Sequence, residues 1–253
     1  MLSPGAEDDV GVVRVAIEGN IGAGKSTLLT IMATATDFVV VPEPVSKWQQ
    51  IGDEDEDESH FSASQASGGN LLQRFYDDPT RWGFTFQAYC LLSRIRAQMK
   101  PLSELMDKTK GARESPVLLF ERSVLSDRYC FASNCRASGI FEELEWLVYA
   151  DWHNFLVKSF AGLRLDGIIY LRSSPETCHS RVQKRGREEE TTVDLSYLTT
   201  LHTRHEEWLV DKAVGKEFNL PVCVVDADAE FESDAVRQAA ILEQIKAFVA
   251  ALR

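Results

Sequence analysis

"IEGNIGAGKST", Ile17 to Thr27, decides how the rest of the chain is read. Gly19-Asn-Ile-Gly-Ala-Gly24-Lys25-Ser26 fits the phosphate-loop pattern G-x-x-x-x-G-K-[ST]. The glycines let backbone N–H groups turn inward around phosphates with no Cβ in the way. A helix starting at Lys25 would point its positive end at the same phosphates. Lys25 would then reach the β- and γ-phosphates of a nucleoside triphosphate, and the Ser26 hydroxyl would bind Mg²⁺. The nucleotide contacts expected are Gly19, Asn20, Ile21, Gly22, Ala23, Gly24, Lys25, Ser26 and Thr27. The loop needs a strand before it and a helix after it, and the sequence offers both: Val12–Ile17 reads as a strand and Lys25–Ala33 as a helix.

Further apolar runs recur along the chain. Phe38–Val41 is stopped by Pro42 and Pro44, and Val117–Phe120, Gly167–Leu171 and Val222–Val225 read as strands buried on both faces. Helical stretches lie between them: Asn70–Met106 with a break near Asp78-Pro79, Ile140–Phe160, Leu195–Asp211 and Ala235–Leu252. Strands alternating with helices give an α/β fold, here a five-stranded parallel sheet flanked by helices. No internal repeat or linker divides the 253 residues, so the chain reads as one domain.

Composition narrows the function. A net charge of -12 argues against a nucleic-acid or anionic-membrane surface, which needs clustered cations. No apolar run approaches membrane-spanning length. Cys90, Cys130, Cys135, Cys178 and Cys223 contain no C-x-x-C, which fits reduced thiols in a reducing compartment. The first residues, MLSPGAEDDVG, resemble neither a secretory nor a mitochondrial presequence. From about 52 to 68 runs an insertion whose residues Asp53 to Glu58 are all acidic; it reads as a solvated, mobile loop. A regulatory loop modified at Ser59, Ser62 or Ser64 is the other reading.

The phosphate acceptor must be found elsewhere. Glu43 follows the second strand, fixed between two prolines, where the carboxyl ends of parallel strands face a ligand crevice. A carboxylate there can take a proton from an attacking hydroxyl; a solvent-exposed turn glutamate is the alternative. Glu121 and Arg122 end the third strand, suiting a metal contact and a cation beside the transferring phosphoryl, or else a structural ion pair. "QKRGREEE", Gln183 to Glu190, groups Lys184, Arg185 and Arg187. Taken alone it reads as a charged helix end with local Arg–Glu pairs, although such arginines can also close over a triphosphate.

With "VVPEPVSKW", "GGNLLQRFYDDPTRWGFTFQAY", "LSRIRAQ", "FERSVLSDRY" and "DGIIYLRSSPETC" added, the chain resembles the deoxyribonucleoside kinases from about Val12 to Leu252, within them the deoxycytidine and deoxyguanosine kinase group. The resemblance implies a P-loop kinase that transfers the γ-phosphate of ATP or another NTP to a deoxynucleoside 5′-hydroxyl, with Mg²⁺. It implies Glu43 as general base, Arg122 near the 5′-hydroxyl and the transferred phosphate, and Glu121 with Ser26 at the metal. Tyr76 and Glu190 would bond the sugar 3′-hydroxyl. Gln87 would read the base edge above the charged pair Arg94 and Asp127, and Trp48, Leu72, Phe75, Phe86 and Phe131 would line the base slot. Arg185 and Arg187 would be arginines of a lid at about 183–192.

Gln87 carries both a donor and an acceptor, and the Arg94–Asp127 wall suits a base with an exocyclic amine while excluding a thymine methyl. Deoxycytidine and purine deoxynucleosides are the expected acceptors. "QRFY" replaces the Met-Met-Tyr usual in this group and Cys90 replaces a small alanine or serine, so the pocket floor is reshaped and deoxyadenosine becomes a candidate for best substrate. The resemblance also implies a homodimer, to which Trp146, Leu147, Tyr149 and Trp152 would contribute, and the acidic insertion favours a cytosolic or nuclear location. A thymidylate-kinase-like enzyme would need more cations for its acceptor's phosphate. A guanine-nucleotide switch would need N-K-x-D, and none occurs.

Overall fold

A computed structural model describes residues 11–51, 69–108 and 115–253. The acidic insertion with Ser59, Ser62 and Ser64, and residues 1–10, lie outside the described residues. In chain order the elements are β1 Val13–Glu18, α1 Lys25–Ala35, β2 Val39–Val41, α2 Val45–Gln49, α3 Leu71–Asp77, α4 Pro79–Lys108 and β3 Val117–Glu121. Then come α5 Val124–Ser126, a π-helical turn Asp127–Ala132, α6 Ser133–Ala137, α7 Glu143–Ser159 and β4 Gly167–Arg172. The chain continues with α8 Pro175–Arg185, a 3₁₀ turn Glu188–Thr192, α9 Leu195–His205, a second π-turn Glu206–Val210, β5 Val222–Asp226 and α10 Ala235–Leu252.

The five strands form one parallel sheet in the order β2-β3-β1-β4-β5. Alternation along each strand divides the apolar residues between two faces. Val13, Val15, Ile17, Val117 and Leu119 pack with Leu28 and Met32 of α1 and Ile241 and Ile245 of α10. Ala16, Leu118, Phe120 and Tyr170 pack with Leu125, Cys130, Trp208 and Leu209 on the other face. Both faces of the central strands are therefore covered, which is why β3 reads as an apolar run up to Glu121 and β1 as one interrupted only by Arg14 before Glu18. Each fully buried Leu or Phe in such a core contributes about 1.5–3 kcal/mol, so the sheet is a firm frame for whatever its carboxyl ends carry.

Local signals set the helix ends. Asp78 closes α3, accepts from Arg81 N at 3.1 Å and precedes Pro79, so one residue breaks the long helical stretch into two. α8 starts on a Ser174 cap with Pro175 at its first position and ends on Gly186 at φ 64°. A third apolar cluster stands off the sheet, where α2, α3, α4 and α7 gather Trp48, Leu72, Phe75, Phe86 and Tyr149. No helix among the described residues is long and apolar enough to cross a membrane.

The face of α7 differs from its expected one. Tyr149 is fully buried against Phe141, Trp146 and His153. The outward stripe is instead Leu144, Leu147, Trp152 and Phe155, with Leu144 71% and Phe155 66% exposed. Helical spacing explains this: 144, 147/148, 151/152 and 155 share one face, and 149 lies on the opposite one.

Candidate active site

The loop between β1 and α1 is pressed against its surroundings. At Gly22, φ is +81° and an added Cβ would meet the Cys178 carbonyl oxygen at 2.5 Å, so neither the conformation nor the space admits a side chain. Asn20 ties the loop down, its amide donating to Leu198 O at 2.8 Å while its Oδ1 accepts from Ile21 N at 2.9 Å. Lys25 Nζ rests on Asn20 O at 2.8 Å. Burial, reinforced by Arg122, pulls the Lys25 ammonium down to about 8, with Glu121 and Glu43 acting the other way. Ser26 Oγ donates to Glu121 Oε1 at 2.8 Å, so a hydroxyl and a carboxylate from separate elements stand side by side. That pair of hard oxygens fits Mg²⁺, an ion that takes one or two protein ligands and completes its shell with phosphate and water.

Glu43 lies at the centre of a charged group. Its Oε1 accepts from Arg94 Nη2 at 2.8 Å and pairs with Arg122 Nε at 3.3 Å. Burial pushes its carboxyl up, but Arg94, Arg122 and Lys25 together outweigh burial and hold it below the usual carboxylate range. Arg94 serves three partners at once. Its Nε donates to both Asp127 oxygens at 3.1 and 2.9 Å and its Nη1 to Glu121 O at 3.2 Å, besides the bond to Glu43. Burial raises the Asp127 carboxyl despite this pairing. Arg122 sits at φ 62°, donates through Nη1 to Gly19 O at 2.8 Å, and lies over the Phe131 ring at 4.7 Å.

The aromatic wall adjoins this group. Phe75 stacks on Phe86 with centroids 4.7 Å apart, and Trp48 meets Phe86 edge-on at 5.8 Å. Ser93 fixes Trp48 by accepting from its indole N–H at 2.9 Å. Phe75 and Phe86 are thus both core residues and cavity wall, the two alternatives being compatible. Gln87 is 2% exposed and its Oε1 has no hydrogen-bond partner among the described residues. Asp127 and Phe131, four residues apart on the π-turn, both border the cavity.

Arg185 Nη2 and Arg187 Nη1 both bond Glu190, the latter at 3.2 Å, while each remains about one-third exposed. The local Arg–Glu pairing expected of this segment is present, and the same residues border the cavity. Glu189 accepts from Gln49 and Asn70 at 2.9 and 2.8 Å, tying the 3₁₀ turn to α2 and to the start of α3.

One cavity of about 650 Å³ joins these parts. It is bordered by Ile21, Gly22, Gly24, Lys25, Ser26 and Thr27 of the loop, by Glu43, Arg94, Glu121, Arg122 and Asp127, and by Trp48, Leu72, Phe75, Tyr76, Phe86, Gln87 and Phe131. Arg185, Arg187 and Glu190 border it too, whereas Gly19, Asn20 and Ala23, also expected at the nucleotide, do not. Sequence reasoning overlooked Arg181 and Phe231, which also border the cavity. Arg181 holds the carbonyls of Ala227, Asp228 and Ala229, and the Phe231 ring covers Gly24. Both had a signal: Arg181 is one helical turn before Arg185, and Phe231 is a lone aromatic in the polar stretch after β5, at the carboxyl edge.

A phosphate loop at the carboxyl edge of this sheet, beside a paired hydroxyl and carboxylate, defines a P-loop nucleotide-binding protein. The sequence profile described as deoxynucleoside kinase matches residues 15–250. The chain is 47% identical over 242 residues to deoxycytidine kinase 2 of Gallus gallus, covering 93% of this chain and 90% of that protein. It is 44% identical over 247 residues to the deoxycytidine kinase of Homo sapiens, covering 95% and 92%. It is 40% identical over 247 residues to the mitochondrial deoxyguanosine kinase of Xenopus laevis, covering 95% and 91%. The chain therefore belongs to the deoxynucleoside kinase family, enzymes that phosphorylate nucleosides with ATP.

Proposed function

We propose that this enzyme transfers the γ-phosphoryl group of ATP, or of another NTP, to the 5′-hydroxyl of deoxycytidine or a purine deoxynucleoside, in nucleotide salvage. The observation that carries the proposal is the shared cavity: the P-loop, the Glu43–Arg122 pair and an aromatic slot with Gln87 border one space. The loop amides and Lys25 bind the donor phosphates, and Lys25 leaves Asn20 O to do so. Ser26 and Glu121 would hold Mg²⁺, which neutralises charge on the β- and γ-phosphate oxygens. Glu43 accepts the 5′-hydroxyl proton. Because it is held ionised, it is a weak base that works late, once the hydroxyl oxygen has begun to bond phosphorus and become acidic. Arg122, 3.3 Å from Glu43, meets the charge spreading over the transferred group.

The base lies against Phe131, Phe75 and Phe86. The unpartnered Oε1 of Gln87 calls for an N–H donor, as cytosine and adenine amines supply. Tyr76 and Glu190 take the sugar 3′-hydroxyl, and Arg185 and Arg187 act from a lid at 183–192, turning from Glu190 toward phosphate. Arg181 and Phe231 flank the donor end of the cavity. The chain works as a single kinase domain and as a homodimer, supported by the exposed stripe on α7, in the cytosol or nucleus.

The test is ADP release with ATP and Mg²⁺ over deoxycytidine, deoxyadenosine, deoxyguanosine and thymidine. Turnover with one or more of the first three, and little with thymidine, is expected. Turnover only with a nucleoside monophosphate would overturn the acceptor.

A further inference from the structure

Three hydrogen bonds join the turn after β3 to three consecutive residues at the end of β1. Arg122 N donates to Ile17 O at 2.9 Å, Ser123 Oγ to Glu18 Oε1 at 2.6 Å, and Arg122 Nη1 to Gly19 O at 2.8 Å. Two of the acceptors are backbone carbonyls. Glu18 alone contributes through its side chain.

Glu18 has no exposed surface, and its second oxygen has no hydrogen-bond partner among the described residues. A buried carboxylate is costly, and an apolar residue would extend the β1 core here without that cost. The residue before the one it grips is strained: Arg122 is a non-glycine residue in the left-handed region, a conformation that persists only where the surroundings over-determine it. Ser123 follows directly, and besides donating to Glu18 it caps α5 by accepting from Leu125 N at 3.2 Å. Burial pushes the Glu18 carboxyl up to about 7, while Arg122 and the nearby Ser123 and Ser126 hydroxyls favour its ionised form.

We propose that Glu18 is a positioning residue for phosphoryl transfer, fixing the Arg122–Ser123 turn and thereby the aim of the Arg122 guanidinium at Glu43 and the transferred group. This rests on the kinase function proposed above, since the aim of Arg122 matters only if phosphate moves beside it. A wild-type enzyme inactive on every nucleoside would defeat that function before any variant is made.

The test compares Glu18→Gln, which keeps an acceptor oxygen for Ser123, with Glu18→Ala, which removes it, each alone and combined with Arg122→Lys. Steady-state ADP release gives kcat and KM, and thermal unfolding checks folding. Misaiming a catalytic group by about an ångström costs about 100-fold, so Glu18→Ala should lower kcat by roughly 10- to 100-fold with nucleoside KM little changed. Glu18→Gln should recover most of the loss. In the Arg122→Lys background the alanine should cost less than about threefold, because groups acting through one another are not additive. An equal penalty in both backgrounds, or full kcat in folded Glu18→Ala, would overturn the proposal. If Glu18→Ala fails to fold, Ser123→Ala cuts the same bond from the other side. Failure of both to fold would assign Glu18 to folding alone and also overturn it.

Discussion

Replacing Glu43 by glutamine removes one charge from a group whose other members stay bonded. Arg94 keeps Asp127 and the Glu121 carbonyl, and Arg122 keeps the Gly19 carbonyl. The glutamine oxygen can still accept from Arg94, so the stability loss should fall near about 1–3 kcal/mol, the range for a weakened bond to a charged group. At about 2–4 °C per kcal/mol for a chain of this size, the variant remains folded at assay temperature. Turnover should respond very differently. A positioned general base contributes about 10²–10⁴-fold, or about 3–5.5 kcal/mol of barrier, and the amide cannot take the 5′-hydroxyl proton. Coupled ADP release should therefore show kcat lower by about 10²–10⁴-fold, with the KM values of both substrates altered only a few-fold. The pH profile adds a second reading. Because Arg94, Arg122 and Lys25 hold the carboxyl below its usual range, it is already ionised at pH 6 and adds no acid limb above that. A folded Glu43→Gln enzyme with kcat within about fivefold of wild type would refute the base assignment. An acid limb centred near pH 7 that disappears in the variant would refute the electrostatic argument instead.

Three further outcomes are expected. With the Lys25 ammonium lowered to about 8, nucleotide phosphates should restore its proton, so binding at pH 8 takes up about half a proton; calorimetry in two buffers of different ionisation enthalpy measures this, and Lys25→Met should abolish it. Burial lowers His153 from 6.5 to about 4, so its stabilising effect is complete above pH 6.5 and lost as pH falls toward 4. Between pH 7.5 and 5 that loss is about 2 kcal/mol, and the stability gap between wild type and His153→Gln in denaturant titrations should narrow by this amount. Leu147→Glu with Phe155→Glu should convert a species of twice 28.4 kDa into one of 28.4 kDa in micromolar sedimentation; no larger species in the wild type would exclude the dimer.

Much of this architecture could be read from residue order, because its signals are local. The phosphate loop carries its own strand and helix, Asp78-Pro79 states the break between α3 and α4, and apolar runs of four or five residues mark the later strands. Glu43 and Glu121 were legible because strand ends in a parallel sheet point to one crevice. What escaped depends on contacts between distant segments. Arg181 shares a helix face with Arg185, but what fixes it at the cavity is the segment after β5, whose carbonyls from Ala227 to Ala229 it holds, and residue order does not show that contact. Spacing puts Tyr149 opposite Leu144, Leu147 and Phe155, but which of the two faces of α7 turns inward shows only once it packs into the cluster with α2, α3 and α4. The π-turn at Asp127 had no signal, since widening a helix by one residue per turn leaves composition unchanged.

That widened turn limits how the chain can change in length. Val124–Ser126 and Ser133–Ala137 belong to one continuous helical run, and the extra residue lies between two parts already fixed, one by the Ser123 cap and the other by burial of Asn134 and Cys135. Deleting one residue to make the run a regular α-helix would rotate one part against the other by about 100°, turning either Asp127 and Phe131 from the cavity or Cys135 from its core. Substitutions can be absorbed there one at a time, whereas single-residue insertions and deletions cannot. Libraries or lineages that vary this segment should therefore conserve its length more strictly than its composition.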